Sequence, residues 1–205
     1  MISGLTASDT LLELPTTGPH PELRKAEMRD IQPILNLINS YAAKGIMLPR
    51  TEFELSENIR DFTVAYQGDR LVGCGALHFY SPTMAEVRSL AVADEARTTG
   101  IGRLLIEWLV EEARDFKLDA VFAFTYVPGF FAKMKFQVVE RGELPLKAWK
   151  DCLRCPKFNS CDEIAVLRVL APHRYTAHRA AETLGFTEEV LVQLPTIKPE
   201  LAFNT

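Results

Sequence analysis

Between Ala85 and Phe116 three kinds of segment follow one another without a gap: a β-rich run ending at Val92, a turn holding Gly100 and Gly102, and a long amphipathic stretch. The turn reads Arg97-Thr98-Thr99-Gly100-Ile101-Gly102-Arg103. The start of a helix leaves backbone N–H groups unpaired, and its dipole favours an anion there. Glycine lets the chain turn sharply and approach a phosphate closely. Arg97 and Arg103 add charge and donors, so the turn suits a pyrophosphate. The competing reading is a tight strand–helix connection that binds nothing, because one G-x-G is only a hypothesis. The spacing is not the dinucleotide fingerprint, and no Lys-Ser/Thr follows as in an ATP-binding loop. A nucleotide diphosphate with a long tail fits better than NAD or ATP.

The flanking periodicities extend this strand–turn–helix unit into a fold. Ile31, Ile34, Leu35, Ile38 and Ala42 recur at helical spacing over 28–42, and Gly45 ends that helix. Thr51 and Glu54 form a capping-box pattern that starts a second helix running to about Arg60. Phe62–Gln67 and Leu71–Tyr80 read as a hairpin across Gly68-Asp69, followed by a strand over Ala85–Val92. Residues 100–116 are helical, with Leu105, Trp108, Leu109 and Phe116 on one face and Glu107, Glu111, Arg114 and Asp115 on the other. Ala120–Thr125 is an apolar run suited to a buried strand, and Pro128 opens a short helix ending near Lys135. Phe136–Glu140 and Glu163–Leu170 supply closing strands. The expected class is α/β (α+β), one mixed sheet with helices on both faces.

A chain of 205 residues carries one domain with a sizeable core. A net charge of −4 offers no global field for nucleic acid or an anionic membrane, so an anionic substrate would need local arginines or lysines. No apolar run is long enough for a membrane helix, and the first residues do not read as a secretory signal. A cytoplasmic location follows as the default, with the four cysteines as thiols or metal ligands rather than disulfides. Residues 1–21, rich in Thr, Ser, Gly and Pro, read as a flexible leader.

Arg97-x-x-Gly100-x-Gly102, the strand Val87–Val92 before it, and Phe130-Phe131-Ala132-Lys133-Met134-Lys135-Phe136 after it together resemble the GNAT superfamily of acetyl-CoA-dependent N-acetyltransferases. The resemblance covers residues 22–170, leaving 171–205 as a C-terminal extension. It implies the GNAT fold, a mixed, mostly antiparallel sheet flanked by helices, with acetyl-CoA as cosubstrate. It also implies donor-binding residues at Leu90, Ala91, Val92, Arg97, Thr98, Thr99, Gly100, Ile101, Gly102, Arg103 and Phe131, the strand backbone pairing with the pantetheine arm.

A narrower likeness runs through Gly45–Arg50, Asn58–Phe62, Gly73–Leu77, Glu86-x-x-x-Leu90-Ala91-Val92 and Glu143-Leu144-Pro145. In that order these segments are similar to the acetyltransferase domain of N-acetylglutamate synthases. The implied acceptor is L-glutamate, the implied product N-acetylglutamate for arginine biosynthesis. The long synthases carry an amino-acid-kinase-like domain that binds arginine. Only a short leader stands ahead of the domain here, so the chain looks like the stand-alone form and arginine control through that domain is in doubt.

An α-amine is largely protonated near neutral pH, so attack on a thioester needs a base. The resemblance puts that base at Glu86; the plainer reading is a surface glutamate on a strand. A free N–H from the 90–92 stretch suits the oxyanion. Many GNAT enzymes place a Tyr where this chain has Phe131, so the acid falls to Thr125 or Tyr126, or to none, because a thiolate leaves readily. Arginine forks match carboxylates bidentately. Arg50 aligns with the synthases' substrate-binding segment, Arg88 shares a strand face with Glu86, and Ser89 joins them as a substrate contact. Each arginine could instead be a solvated surface charge.

His78 reads as structural more readily than catalytic. Cys152-x2-Cys155-x5-Cys161 fits surface thiols better than the usual zinc spacing, so no metal is assigned. Tyr175–Leu184 is suited to a helix, and Val190, Leu191 and Leu194 to docking on the domain or on a second subunit as a homodimer. The alternatives to glutamate acetylation are acetylation of another small amine, and a non-catalytic acetyl-CoA-binding regulatory module.

Overall fold

The computed structural model describes residues 21–144, 157 and 160–176. Cys152, Cys155 and the tail beyond Thr176 lie outside them. The described elements run β1 (Glu22–Lys25), α1 (Ile31–Ala42), α2 (Glu52–Asn58), β2 (Phe62–Gln67), β3 (Arg70–Phe79), β4 (Met84–Val92), α3 (Ile101–Asp115), β5 (Ala120–Thr125), α4 (Pro128–Ala132), β6 (Gln137–Val138) and β7 (Ile164–Val169). No helix among the described residues is long and apolar enough to cross a membrane.

Local chemistry explains where the elements start. Thr51 accepts from the Glu54 amide at 3.2 Å and Glu54 reaches back to the Thr51 amide at 2.9 Å, closing the expected capping box on α2. Gly100, at φ +90°, occupies the left-handed N-cap of α3, a conformation that disfavours any Cβ. Pro128 stands in the first turn of α4, where its missing N–H costs nothing. That helix stops at Ala132, three residues before the expected end.

The described strands form one sheet in the order β1-β2-β3-β4-β5-β7-β6, antiparallel throughout except for β4 beside β5. β1 carries no period of its own and was not expected; it exists because Glu22–Lys25 pair with Tyr66–Thr63 at the sheet edge. β6 keeps only two of the five residues expected of it.

Packing on both faces of the sheet fixes the shape. On the α3 face, Ile106, Leu109, Val110 and Ala113 pack with Leu77, Val87, Val121 and Val166 in a core that runs across both halves of the sheet. On the opposite face the core is divided. Ile34, Ile38, Leu55, Val64 and Cys74 pack under α1 and α2, while Met84, Phe122 and Leu167 form a second cluster beyond β4. Trp108 and Phe116 do not join α3's buried stripe as expected: they are 41% and 59% exposed. Trp108 sits beside the 101–105–109 row rather than in it, and Phe116 lies past the helix end, edge-on to Phe79 at 4.9 Å.

Candidate active site

β4 and β5 pair over only three positions, Met84↔Ala120, Ala85↔Val121 and Glu86↔Phe122. Beyond Glu86 the two strands part. Within the gap, between the two divided cores, lies a cleft of about 600 Å³.

β4 shapes its wall by an irregularity. Arg88 pairs with Ala76 and Ala91 with Cys74, so two residues of β4 stand opposite Gly75 alone. Ser89 takes up the extra residue at φ +52°. The parity of the strand is thereby inverted. Leu90 turns to meet Leu109 and the open side of Gly75, where an added Cβ would lie 3.2 Å from each of those leucines. Ala91 turns instead into the α1 core. Strand alternation does put Glu86 and Arg88 on one face, and both line the cleft.

Glu86 is 8% exposed, and the Tyr80 hydroxyl donates to its Oε2 at 3.0 Å. His78 lies opposite Glu86 in the β3–β4 register; its Nδ1 meets Asp61 Oδ2 at 2.6 Å and its ring lies edge-on to Tyr80. Arg50 is placed by its backbone: the Asn39 amide accepts from the Arg50 N–H at 2.9 Å and donates to its carbonyl at 3.0 Å. The segment from Gly45 to Arg50 is thus tied to α1 while the Arg50 side chain lines the cleft.

The β5 side supplies Thr125 and Tyr126. The Thr125 hydroxyl is buried and accepts from the Val127 amide at 3.0 Å, which fixes the turn into α4 and leaves its proton to donate. The Tyr126 phenol receives Lys157 Nζ at 3.4 Å. Burial and the neighbouring Glu163 push its pKa up, against Lys157. Glu163 is itself raised by burial, with Arg141 acting the other way. Arg141 Nη2 donates to the Glu163 carbonyl and to Cys161 Sγ at 3.1 Å.

The phosphate-type turn closes one end. Leu104 N–H bonds the Gly100 carbonyl at 3.0 Å, so the amides of Ile101, Gly102 and Arg103 precede α3's first helical bond. Thr98 is held at φ +65° and is exposed, as is Thr99, whose hydroxyl donates to the Ala96 carbonyl. Gly102 packs so near Phe130 that a Cβ would lie 3.1 Å from the ring edge. Ile101 is buried whole, its side chain packed with Ala65, Val72 and Leu105. Arg97 lines the cleft. Arg103 is turned along the helix onto Glu107 at 2.7 Å instead. A turn with free amides, positive-φ residues and an arginine fits a diphosphate by its donor set.

Of the expected site residues, Glu86, Arg88, Ser89, Leu90, Ala91, Val92, Arg97, Arg50, Thr125, Tyr126 and Phe131 therefore share one cleft. Thr98, Thr99, Gly100, Ile101, Gly102 and Arg103 stand at its end rather than along its walls. Tyr41, Arg141, Lys157 and Glu163 line the cleft as well and were not anticipated. No periodicity or motif singles them out; tertiary folding alone brings them there.

A model of the acetyltransferase (GNAT) family matches residues 28–136. The chain belongs to this family. GNAT enzymes take their acetyl group from acetyl-CoA, and this chain is an N-acetyltransferase of that kind. An uncharacterized N-acetyltransferase of Chlorobaculum tepidum is 41% identical over 148 residues, which are 72% of this chain and 96% of that one. An amino-acid acetyltransferase of Mycobacterium tuberculosis is 36% identical over 123 residues, 58% of this chain and 70% of the relative. Among solved structures, Neisseria gonorrhoeae N-acetylglutamate synthase, complexed with coenzyme A and N-acetyl-glutamate, superposes with a TM-score of 0.67 at 28% identity. That match covers 73% of this chain and 35% of the synthase.

Proposed function

We propose that this GNAT enzyme transfers the acetyl group of acetyl-CoA to the α-amine of L-glutamate, giving N-acetylglutamate for arginine biosynthesis. The observation that carries the reading is the charge of the cleft. Among the described residues, Arg50, Arg88, Arg97, Arg141 and Lys157 line it against two carboxylates, Glu86 and Glu163, in a chain of net charge −4. Such a lining suits an acceptor with two carboxylates and a donor with phosphates. The named relatives and the synthase structure support it. A cytoplasmic location is part of the same reading.

In this mechanism Arg97 and the amides of the 97–103 turn hold the diphosphate. Arg50 and Arg88 fork onto the acceptor's carboxylates, with Ser89 between them. Glu86 takes a proton from the α-ammonium, directly or through water, and the freed lone pair attacks the thioester carbonyl. An amide of the 90–92 stretch donates to the oxyanion. Collapse breaks the C–S bond and releases the thiolate, while the nitrogen gives its second proton to solvent or to the departing sulfur and becomes the neutral amide. Thr125 and Tyr126 stand at the end of β5 to return a proton to sulfur; the raised pKa of Tyr126 makes it a weak acid, and a thiolate also leaves unaided.

Release of free CoA is measured with acetyl-CoA against a panel of amino acids and polyamines. Turnover with glutamate is expected. Turnover with another amine and none with glutamate would discard the acceptor and keep the fold and chemistry. Glu86→Gln is expected to lower kcat by about 10²–10⁴ with acetyl-CoA still bound. Arg50→Ala is expected to raise the glutamate KM roughly tenfold or more, as loss of a bidentate charge-assisted contact does.

A further inference from the structure

Tyr41 is 5% exposed near the end of α1, yet it lies on the wall of the cleft. Its hydroxyl oxygen lies 2.5 Å from the Val92 carbonyl, 3.1 Å from Asp94 Oδ1 and 3.1 Å from Arg97 Nη2. A phenol has one proton to give. It goes to Val92, the shortest contact, and the oxygen lone pairs are left to accept from Arg97. The guanidinium also stands over the Tyr41 ring, 5.3 Å from its centroid, and its Nε meets Asp94 Oδ1 at 3.0 Å. The Arg97 side chain is 55% exposed, and such an arginine ordinarily samples many rotamers. Here a ring face, a hydroxyl and a carboxylate fix it at once. Five N–H donors belong to a guanidinium. Two are engaged by Asp94 and Tyr41, which leaves the remaining edge for the cleft.

We propose that Tyr41 is the positioning residue of the donor site: it sets the Arg97 guanidinium for the diphosphate of acetyl-CoA and ties it to the last residue of β4. This rests on the reading of Arg97 as the diphosphate ligand given above. Fixing a long side chain before the ligand arrives removes an ordering cost from binding. The effect of Tyr41 is therefore confined to the donor and is expressed through Arg97.

The test is a set of steady-state measurements with two donors, acetyl-CoA and S-acetyl-N-acetylcysteamine, which has the thioester but no diphosphate. Tyr41→Phe keeps the ring and removes the hydroxyl. The expected result is a roughly five- to tenfold rise in the acetyl-CoA KM, the size of one lost ordering contribution. Its kcat should change less than twofold, and the KM of the short thioester should not move. Placed on Arg97→Ala, Tyr41→Phe should add nothing further. Arg97→Lys, at an exposed site, should cost nearly as much as Arg97→Ala, because an ammonium cannot meet Asp94 and Tyr41 and still present a planar edge. An equal KM rise with the short thioester, additive effects in the double variant, or a wild-type KM in Arg97→Lys would each overturn the proposal. An unchanged acetyl-CoA KM in Arg97→Ala would sink the diphosphate reading itself, a separate result.

Discussion

Asp30 shows how much one buried carboxylate can hold. Its side chain is 1% exposed and lies between Arg24, at 2.6 Å, the Glu27 amide, at 2.7 Å, and the Tyr66 hydroxyl, at 2.8 Å. Burial alone would raise its pKa, but these three donors outweigh it and bring the carboxyl down to about 2. The same contact pushes Tyr66 up to about 12, after burial. An ordinary aspartate titrates near pH 4, so the folded state holds the charged form more tightly than the unfolded one. The resulting stability is present above about pH 4 and is lost as the pH falls toward 2; at neutral pH it amounts to about 2 kcal/mol. Urea unfolding of Asp30→Asn against the parent should show a gap of that order at pH 7 that narrows by pH 3. A gap independent of pH would refute the assignment. At this scale the sequence is legible where a residue's role is local. Thr51 and Glu54 declare their cap within four residues, and Gly100 declares its turn. Tyr41, Asp30 and Ser89 do not. The partners of Tyr41 in the 92–97 stretch lie more than fifty positions away, and the positive φ of Ser89 depends on its register against Gly75.

For whole elements, the close approach of α3 to β3 at Gly73 is decisive. A Cβ on Gly73 would lie 3.0 Å from both Ile101 Cγ2 and Leu105 Cδ1, and 3.3 Å from the Ala91 carbonyl. The glycine is what lets the helix lie down on the strand behind the cleft. Gly73→Val is expected to overpack this seam by about 1–3 kcal/mol. In a chain of this size that is a fall of roughly 2–4 °C in Tm for each kcal/mol, read by calorimetry. An unchanged Tm would mean that α3 moves aside freely. Most helices and strands could be read from periodicity, because one buried face imposes a 3.6- or 2-residue repeat. β1 could not, since four half-exposed residues at an edge show no repeat. The outward turn of Trp108 and Phe116 was hidden for the opposite reason: both are large and apolar, and only the helix's seat on the sheet decides which apolar residues it buries.

Across the molecule, the notable property is a separation of charge. The chain carries −4 overall, yet among the described residues five cationic side chains and two carboxylates line one cleft. Attraction of an anionic donor and an anionic acceptor into such a site is screened by salt, whose Debye length falls from about 10 Å at 0.1 M to about 3 Å at 1 M. Raising the ionic strength across that range should raise the KM of both substrates several-fold and leave kcat nearly constant. KM values indifferent to salt would show that the lining charges are neutralised by one another rather than by substrate. Four of these seven groups, Glu86 among them, were legible in the sequence. Arg50, Arg88 and Arg97 sit in recognisable segments, whereas Arg141, Lys157 and Glu163 reach the cleft only through the path of the chain into β7.

The three shared positions of β4 and β5 have a mechanical meaning too. The sheet is built like two leaves on a short spine, glued along the back by the core that runs beneath α3 and open along the fore-edge. Glu86 and Arg88 stand on one leaf, Thr125 and Glu163 on the other. Phe122, wholly buried and paired with Glu86 at the spine, is absent from the cleft wall. Its ring lies 5.7 Å from that of Tyr80, whose hydroxyl donates to Glu86, so the carboxylate that faces an acceptor is propped from behind by a side chain that never meets it.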